Sequence, residues 1–344
     1  MAPEIDSYLV RTCWHLVAHR RELCQDRDFL RLEWALGELV LYNDKGEIIA
    51  FDNICPHRGA RFFTEDAGNA PVLCAYHGWS YRGGKLRVPR PEAYRTCDLE
   101  SVRLNRFRTE WCGDFLFVAI EPLTDLQSQL GDLVPVLTGM SRDIDRRRNT
   151  ESYRYECPWR VAVENALEPD HVHMVHPDTL GTLDLDAGQN DYYDRNSVLR
   201  ASIGNEHILR GLNRISRLFD VESSEKSYTA IFLFPFSFLS STFGYTYSLQ
   251  NFFPSRGGAD THFTTRLFSA NLSGSSREAI AAPFFESVSE MNRAVFAEDH
   301  AICRRIAPEF SLDASDRILS SSEEKVAHFR ASVMAAELSR LSGQ

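Results

Sequence analysis

Two short segments limit the folds open to this chain more than any other part of it: Cys55-Pro56-His57-Arg58-Gly59 and Cys74-Ala75-Tyr76-His77-Gly78-Trp79, with sixteen residues between His57 and Cys74. Each offers one thiolate and one imidazole, and the Gly and Pro around them mark tight loop tips, not packed faces. Two thiolates and two imidazoles are the ligand set of a [2Fe–2S] cluster in which sulfur holds one iron and nitrogen the other. With 8 Cys and 11 His in 344 residues, the pattern arises by chance in about two of ten thousand such chains. A Cys2His2 zinc site would use the same residue types, but zinc fingers run Cys, Cys, His, His, and the order here is Cys, His, Cys, His.

Cys55-Pro56-His57-Arg58-Gly59-Ala60 with Cys74-x-x-His77-Gly78-Trp79 resembles the Rieske domain of the non-haem iron ring-hydroxylating oxygenases. The resemblance implies Cys55, His57, Cys74 and His77 as cluster ligands. Respiratory-chain Rieske proteins add two cysteines that form a disulfide across the cluster loops; the corresponding positions here are Ala60 and Tyr76. No loop disulfide can form, which fits the oxygenase branch, whose cluster works in a reducing cytosol.

A chain of 344 residues has room for two domains with cores of their own. At 43% hydrophobic and 25% charged it has the make-up of a globular protein. A formal charge of −10 argues against nucleic acid or an anionic membrane as main partner. No apolar run has the length of a membrane span, and residues 1–20 lack the pattern of a signal peptide, so a cytoplasmic location is expected. Cys13, Cys24, Cys97, Cys112, Cys157 and Cys303 have no paired spacing and read as free, mostly buried thiols.

Residues 8–120 read as short strands, with Trp34 to Tyr42 and Ile48 to Phe51 forming a hairpin into the first cluster loop and Gly83-Gly84 turning a second one. The polar stretch 121–155 reads as a junction, with Arg146-Arg147-Arg148 as a solvated linker. Residues 156–176 read as a helix, 197–272 as an antiparallel sheet, and 279–306 and 320–341 as helices, the last capped by Ser321 or Ser322. The expected organisation is a cluster domain over 1–145 and a second domain over 146–344. With the resemblance it becomes an α+β chain: an all-β Rieske domain with two metal loops, then a helix-grip catalytic domain built on an antiparallel sheet.

Glu164-Asn165-Ala166-Leu167-Glu168-Pro169-Asp170-His171-Val172-His173-Met174-Val175-His176 is dense in ligands. His171 and His176 would stand ~140° apart on a regular helix, so a shared metal needs a break between them. The stretch resembles the family motif that gives two histidines to a mononuclear iron, and the resemblance implies a third, carboxylate ligand far along the chain, here Asp299, with Glu298 adjacent. His173 would face away on a helix and is expected as pocket wall or an outer partner. In the family a carboxylate at the position of Glu168 bridges the two metal sites across a subunit interface of a homotrimer. Pro169 biases Glu168 away from helical backbone, so Asp170 is a second candidate for the bridge, with Glu168 favoured on spacing. Asn165 fits the motif's upstream Asn as a supporting residue.

There is no Gly-x-Gly-x-x-Gly or Walker-type loop to argue for a nucleotide cofactor, so electrons are expected from a separate NAD(P)H-dependent reductase, a ferredoxin, or both. The resemblance implies a terminal oxygenase that uses dioxygen to hydroxylate or oxidatively demethylate a small, aromatic or otherwise apolar substrate. A Rieske electron carrier with a non-catalytic second domain is the alternative. Phe232, Phe234, Phe236 and Phe238 share one face if they form a strand, and read as core before pocket. Tyr245, Tyr247, Phe252 and Phe253 follow them. Arg210, His207, Asn251 and His262 are candidates for a polar substrate contact, and Lys85, Arg87 and Arg90 for steering a donor, though hairpin cations are usually only solvated.

Overall fold

Between His15 and Ala119, runs of β-branched and aromatic residues punctuated by Gly, Asn and Asp fold as ten strands. They are β1 (His15–His19), β2 (Asp28–Trp34), β3 (Gly37–Asp44), β4 (Glu47–Asp52), β5 (Ala67–Asn69), β6 (Val72–Leu73), β7 (Ser80–Arg82), β8 (Lys85–Arg87), β9 (Arg106–Cys112) and β10 (Phe115–Ala119). The computed structural model describes residues 2–34, 36–94, 99–222, 226–307 and 318–343. Seven strands make one sheet in the order β1-β10-β9-β4-β3-β2-β5, and β6-β7-β8 make a small second one. Lys45-Gly46 turns β3 into β4 with both residues left-handed, and Gly83-Gly84 does the same between β7 and β8, the backbone that two-residue hairpins require. The stretch from Trp34 to Tyr42 is not one strand: Trp34 ends β2, and Gly37 at φ 131° opens β3.

Helix α1 (Ala2–Thr12) lies ahead of these strands, where strand was expected from residue 8. Ile5, Leu9 and Val10 bury its inner face, and Trp159 of the second half donates to Asp6 Oδ1 at 2.7 Å. Two more helices, α2 (Leu126–Leu130) and α3 (Val134–Asp143), lead into the long strand β11 (Ile144–Tyr155). The arginine run is therefore not a linker. It lies in β11, where Arg147 Nη1 donates to the buried Glu22 at 3.1 Å and Arg148 pairs with Glu278 and lies over the Phe285 ring.

The second half continues with α4 (Trp159–Leu167), α5 (Val172–Val175), β12 (Gln189–Tyr193), β13 (Asn196–Ala201) and α6 (Glu206–Ile215). Then come β14 (Tyr228–Leu233), β15 (Ser237–Thr242), β16 (Thr246–Pro254), β17 (Thr261–Ala270), α7 (Glu278–Cys303) and α8 (Glu324–Ser342). Helix α6, capped by Asn205, interrupts the expected run of strands. The second sheet is antiparallel in the order β11-β17-β16-β15-β14-β13-β12. One face packs on α2 and α3 through Ile231, Leu233, Leu239 and Leu249. The other carries Phe232, Phe238, Phe252 and Phe263, over which α7 and α8 lie, with Phe296 4.9 Å from Phe263 and Phe329 5.6 Å from Phe232. This is the helix-grip arrangement. Phe232 to Phe238 do not form one strand: β14 ends at Leu233, a cis Phe234-Pro235 bond turns the chain, and β15 returns. All four phenylalanines are buried core.

Candidate metal centres

The two cluster loops are built alike. Cys55 N donates to Ala60 O at 2.8 Å and Gly59 N to Cys55 O at 2.9 Å; Cys74 N donates to Trp79 O at 2.7 Å and Gly78 N to Cys74 O at 2.9 Å. Gly59 and Gly78 have φ of 75° and 74°, backbone that strains any residue with a β-carbon. Cys55 and Cys74 are buried; burial and the neighbouring Cys74 push the Cys55 thiol up. The imidazoles lie farther out, His57 half-buried and His77 exposed, with ring centres 4.6 Å apart. His57 stacks flat on Trp79 at 4.9 Å, and Trp79 Nε1 donates to Tyr94 at 3.1 Å. Twin loops that set two thiols inside and two imidazoles outside fit a [2Fe–2S] cluster. Lys85, Arg87 and Arg90 are exposed beyond these loops. Of the other thiols, Cys13, Cys112, Cys157 and Cys303 are buried and free and Cys24 is exposed; Cys97 lies outside the described residues.

The second centre depends on a helix that stops. Residues 156–176 are not continuous helix: α4 ends at Leu167, and Glu168 has ψ 137°, the extended backbone that a following proline imposes. The chain resumes as one turn, α5, and the break brings His171 and His176 onto one point. His171 Nε2 lies 3.2 Å from His176 Nε2, which lies 3.0 Å from Asp299 Oδ1 on α7. His171 Nε2 and Asp299 Oδ1 are 3.5 Å apart. Three ligand atoms at right angles about one ion at ~2.1 Å stand ~3.0 Å from each other, so this triangle fits one metal ion. Among the described residues these three are the group of metal-ligating side chains that converge in this way.

Each member of the triangle has an outer partner. His171 Nδ1 is 2.7 Å from Glu168 Oε1, off the line of a good hydrogen bond, and His171 N donates to Glu168 Oε2 at 3.1 Å. His176 Nδ1 is 2.7 Å from Glu298 Oε2, which also accepts from Thr179 Oγ1 at 2.7 Å. Asn165 Nδ2 donates to Asp299 Oδ1 at 2.7 Å. Burial opposes a charged His171, but Asp299 and Glu168 outweigh it and hold the ring up at about 9. His176 is raised in the same way, burial losing to Asp299 and then Glu298. Burial would lift Asp299, yet His171 and His176 bring it below the ordinary carboxylate range. Protons held in such a cluster are those that a bound cation displaces.

Several expected residues lie elsewhere. His173 is exposed, because the single turn of α5 carries it to the outer side, and so is neither pocket wall nor partner. Asp170 accepts from Ser320 and Ser322 at 2.6–2.7 Å; neither Ser321 nor Ser322 caps α8, whose N-cap is Glu323. Arg210 pairs with Glu206 at the surface and His207 is exposed on the same helix. Asn251 is buried against Leu16 O and Arg266, and His262 Nδ1 is 3.1 Å from Glu33. Glu298 as an outer partner and Thr179 were not anticipated; the acidic pair Glu298-Asp299 was the available signal.

The chain matches the Rieske [2Fe-2S] domain over residues 13–100 and the ring hydroxylating alpha subunit (catalytic domain) over residues 143–337. It therefore belongs to the ring-hydroxylating alpha-subunit family, and the two domains together imply a Rieske cluster and a mononuclear iron. It is 29% identical over 182 residues to the anthranilate 1,2-dioxygenase large subunit of Acinetobacter baylyi, covering 49% of this chain and 39% of that one. It is 28% identical over 181 residues to the carnitine monooxygenase oxygenase subunit of Acinetobacter pittii, covering 50% and 48%. In these matches the chain spans less than half of each relative's length. A quaternary ammonium Rieske monooxygenase in complex with L-carnitine has the same fold, with TM-score 0.75 at 18% identity over 98% of this chain and 91% of that one. Naphthalene 1,2-dioxygenase from Rhodococcus sp. gives TM-score 0.72 at 17% identity over 98% and 92%. Among the described residues no helix is long and apolar enough to cross a membrane.

Proposed function

We propose that this chain is the oxygenase component of a multicomponent system. It takes electrons from a separate NAD(P)H-dependent reductase, with or without a ferredoxin, and uses dioxygen to hydroxylate or oxidatively demethylate a small substrate. The observation that carries the reading is the triangle of His171, His176 and Asp299, which an electron carrier would not need. Within residues 1–145, Cys55, Cys74, His57 and His77 would hold the cluster. Residues 146–344 carry the mononuclear site. His171, His176 and Asp299 would hold a ferrous ion there, and that ion would supply the activation of dioxygen beside a substrate.

The protein's own groups prepare that site. Glu168 beside Nδ1 of His171, and Glu298 beside Nδ1 of His176, keep the proton on the outer nitrogen and leave each Nε2 lone pair facing inward. Asn165 fixes the Asp299 carboxylate through its amide N–H. Glu168 is our choice for the bridge to a cluster histidine of a neighbouring chain: its side chain is 18% exposed, whereas both oxygens of Asp170 accept from serines. Such a bridge places the chain in a homotrimer, a closed ring of head-to-tail contacts. We place that trimer in the cytoplasm, where NAD(P)H is at hand.

We place the substrate against the face of the second sheet that α7 and α8 grip. Leu199, Ala230 and Ser240 form one row across three strands, with Tyr228 and Thr242 in the row on one side and Gln250, paired with Phe238, in the row on the other. All of these but the buried Phe238 keep partial exposure, while Val198, Thr229, Ile231, Leu239 and Ser241 on the opposite face are buried. Burial raises the Tyr228 hydroxyl to about 12 and the charge of Asp299 adds to the rise, which ties this floor to the iron site. Hydroxyls and an amide in the floor favour a small molecule with a hydrogen-bonding group over a plain hydrocarbon. Metal analysis tests the assignment. We expect about three irons per chain, falling to about two in His171→Ala with the cluster's colour intact and oxygen uptake lost. Two irons in the unaltered protein would favour the electron carrier.

A further inference from the structure

Lys325 is 5% exposed and lies on the inner face of α8 with Val326, Phe329 and Val333. Phe329, one turn on, packs on Phe232 and Trp159, so this face points into the catalytic domain. The charge that works against burial of the amine is the Glu168 carboxylate. A buried ammonium without a partner is disfavoured unless some charge nearby offsets the lost hydration.

Helix α8 and the serines just ahead of it grip the ligand-bearing stretch on both sides of Glu168. Arg330 makes a two-pronged pair with Glu164, Nε to Oε1 at 2.8 Å and Nη2 to Oε2 at 2.6 Å. Ser320 and Ser322 hold Asp170. The segments run in opposite directions, so Lys325 falls between these anchors on one side as Glu168 does on the other. Burial pulls the Lys325 amine down to about 8, and the carboxylate of Glu168 works against that fall; at neutral pH it remains an ammonium. Five carboxylates crowd this region. Arg330 answers Glu164, the serines Asp170, His176 Glu298, and Asn165 with the two histidines Asp299; Glu168 has His171 on the ligand side, and Lys325 is the ammonium that α8 adds to it.

We propose that Lys325 is a positioning residue, the counter-charge that holds the Glu168 carboxylate in place through space without occupying its lone pairs. Oε1, and the second lone pair of Oε2 beside the His171 main-chain N–H, then stay open to imidazole N–H donors, which a bridge between two metal centres needs. The inference rests on the reading of Glu168 as that bridge.

The test needs no substrate. In fully oxidised holoenzyme a light-generated deazaflavin radical gives one electron to the cluster, and the return of the cluster's visible absorbance times the passage of that electron to the ferric mononuclear iron. We expect Lys325→Met, which keeps the packing, to slow this return about tenfold with iron content and cluster EPR unchanged, and Lys325→Arg to restore most of the rate. In a Glu168→Gln background, itself slow, Lys325→Met should add nothing, because Lys325 acts only through the carboxylate. Lys325→Met at the unaltered rate beside a slow Glu168→Gln overturns the inference alone, as does a full further loss in the double variant. Glu168→Gln at the unaltered rate removes the bridge and the inference with it.

Discussion

Arg266 sits in the middle of β17 with none of its surface exposed. Its guanidinium donates to Val17 O at 2.6 Å and to Asn251 Oδ1 at 3.1 Å, and it lies 3.4 Å from Glu22 Oε2. The Glu22 side chain is equally buried and also takes Arg147 at 3.1 Å. Removing one partner of such a pair strands the other in a medium that cannot hydrate it. Arg266→Met should therefore lower stability by about 3–5 kcal/mol, read from the urea midpoint, and adding Glu22→Gln should recover part of the loss. Equal loss in the single and double variants would show that packing, not charge, is what Arg266 contributes. Little of this was legible in the sequence. Arg147 and Arg148 read as solvated because a charge run says nothing of its partners, and here those are Glu22 and Glu278, 125 and 130 residues away. The cluster loops and the pair His171 and His176 were legible because each set of residues lies in a short stretch of its own; Asp299, 123 residues beyond His176, was reached only through the resemblance.

At the level of elements, what sequence could not supply was where helices stop and how they bear on one another. Ile208, Leu209, Leu212 and Ile215 after Asn205 hold a helical period and a cap, so α6 could have been read; the strands on either side masked it. The strap that residues 320–330 throw over Glu164 and Asp170 could not, since nothing in them names a partner 150 positions earlier. The turn after His176, at the proposed iron site, is equally tight. Gly181 N donates to His176 O at 2.9 Å, and a β-carbon on Gly181 would stand 2.6 Å from that oxygen. Gly181→Ala must push back the main chain of a proposed iron ligand. We expect roughly tenfold weaker retention of the mononuclear iron, measured as iron per chain after dialysis, with cluster absorbance unchanged. Full retention would mean that the turn yields elsewhere and His176 stays in place.

Across the whole molecule the two halves share one core, in which Leu9, Val17, Leu41 and Trp34 of the front pack with Trp159, Phe236 and Phe253 of the back. His15 lies in that seam, 1% exposed, stacked on Phe236 at 5.4 Å and edge-on to Phe253 at 5.7 Å. Its Nε2 meets Val10 O at 2.9 Å, while Nδ1 has no partner. Burial pulls the ring down to about 4 despite that carbonyl, and His19 in the same strand is lowered too, again by burial. An unfolded imidazole titrates near 6.5, so between about 6.5 and 4 the unfolded chain binds a proton that the folded one refuses. Stability from His15 is thus complete above pH 6.5 and drains away as pH falls, by roughly 1.5 kcal/mol at pH 5.5 and roughly 3 kcal/mol at pH 4. His15→Gln has nothing to titrate there. Urea midpoints at pH 7.5 and 5.5 should therefore fall farther in the unaltered protein than in His15→Gln, by a difference worth roughly 1.5 kcal/mol. If both lose the same stability over that range, His15 is protonated in the folded seam, and acid weakens the contact between the halves through other groups.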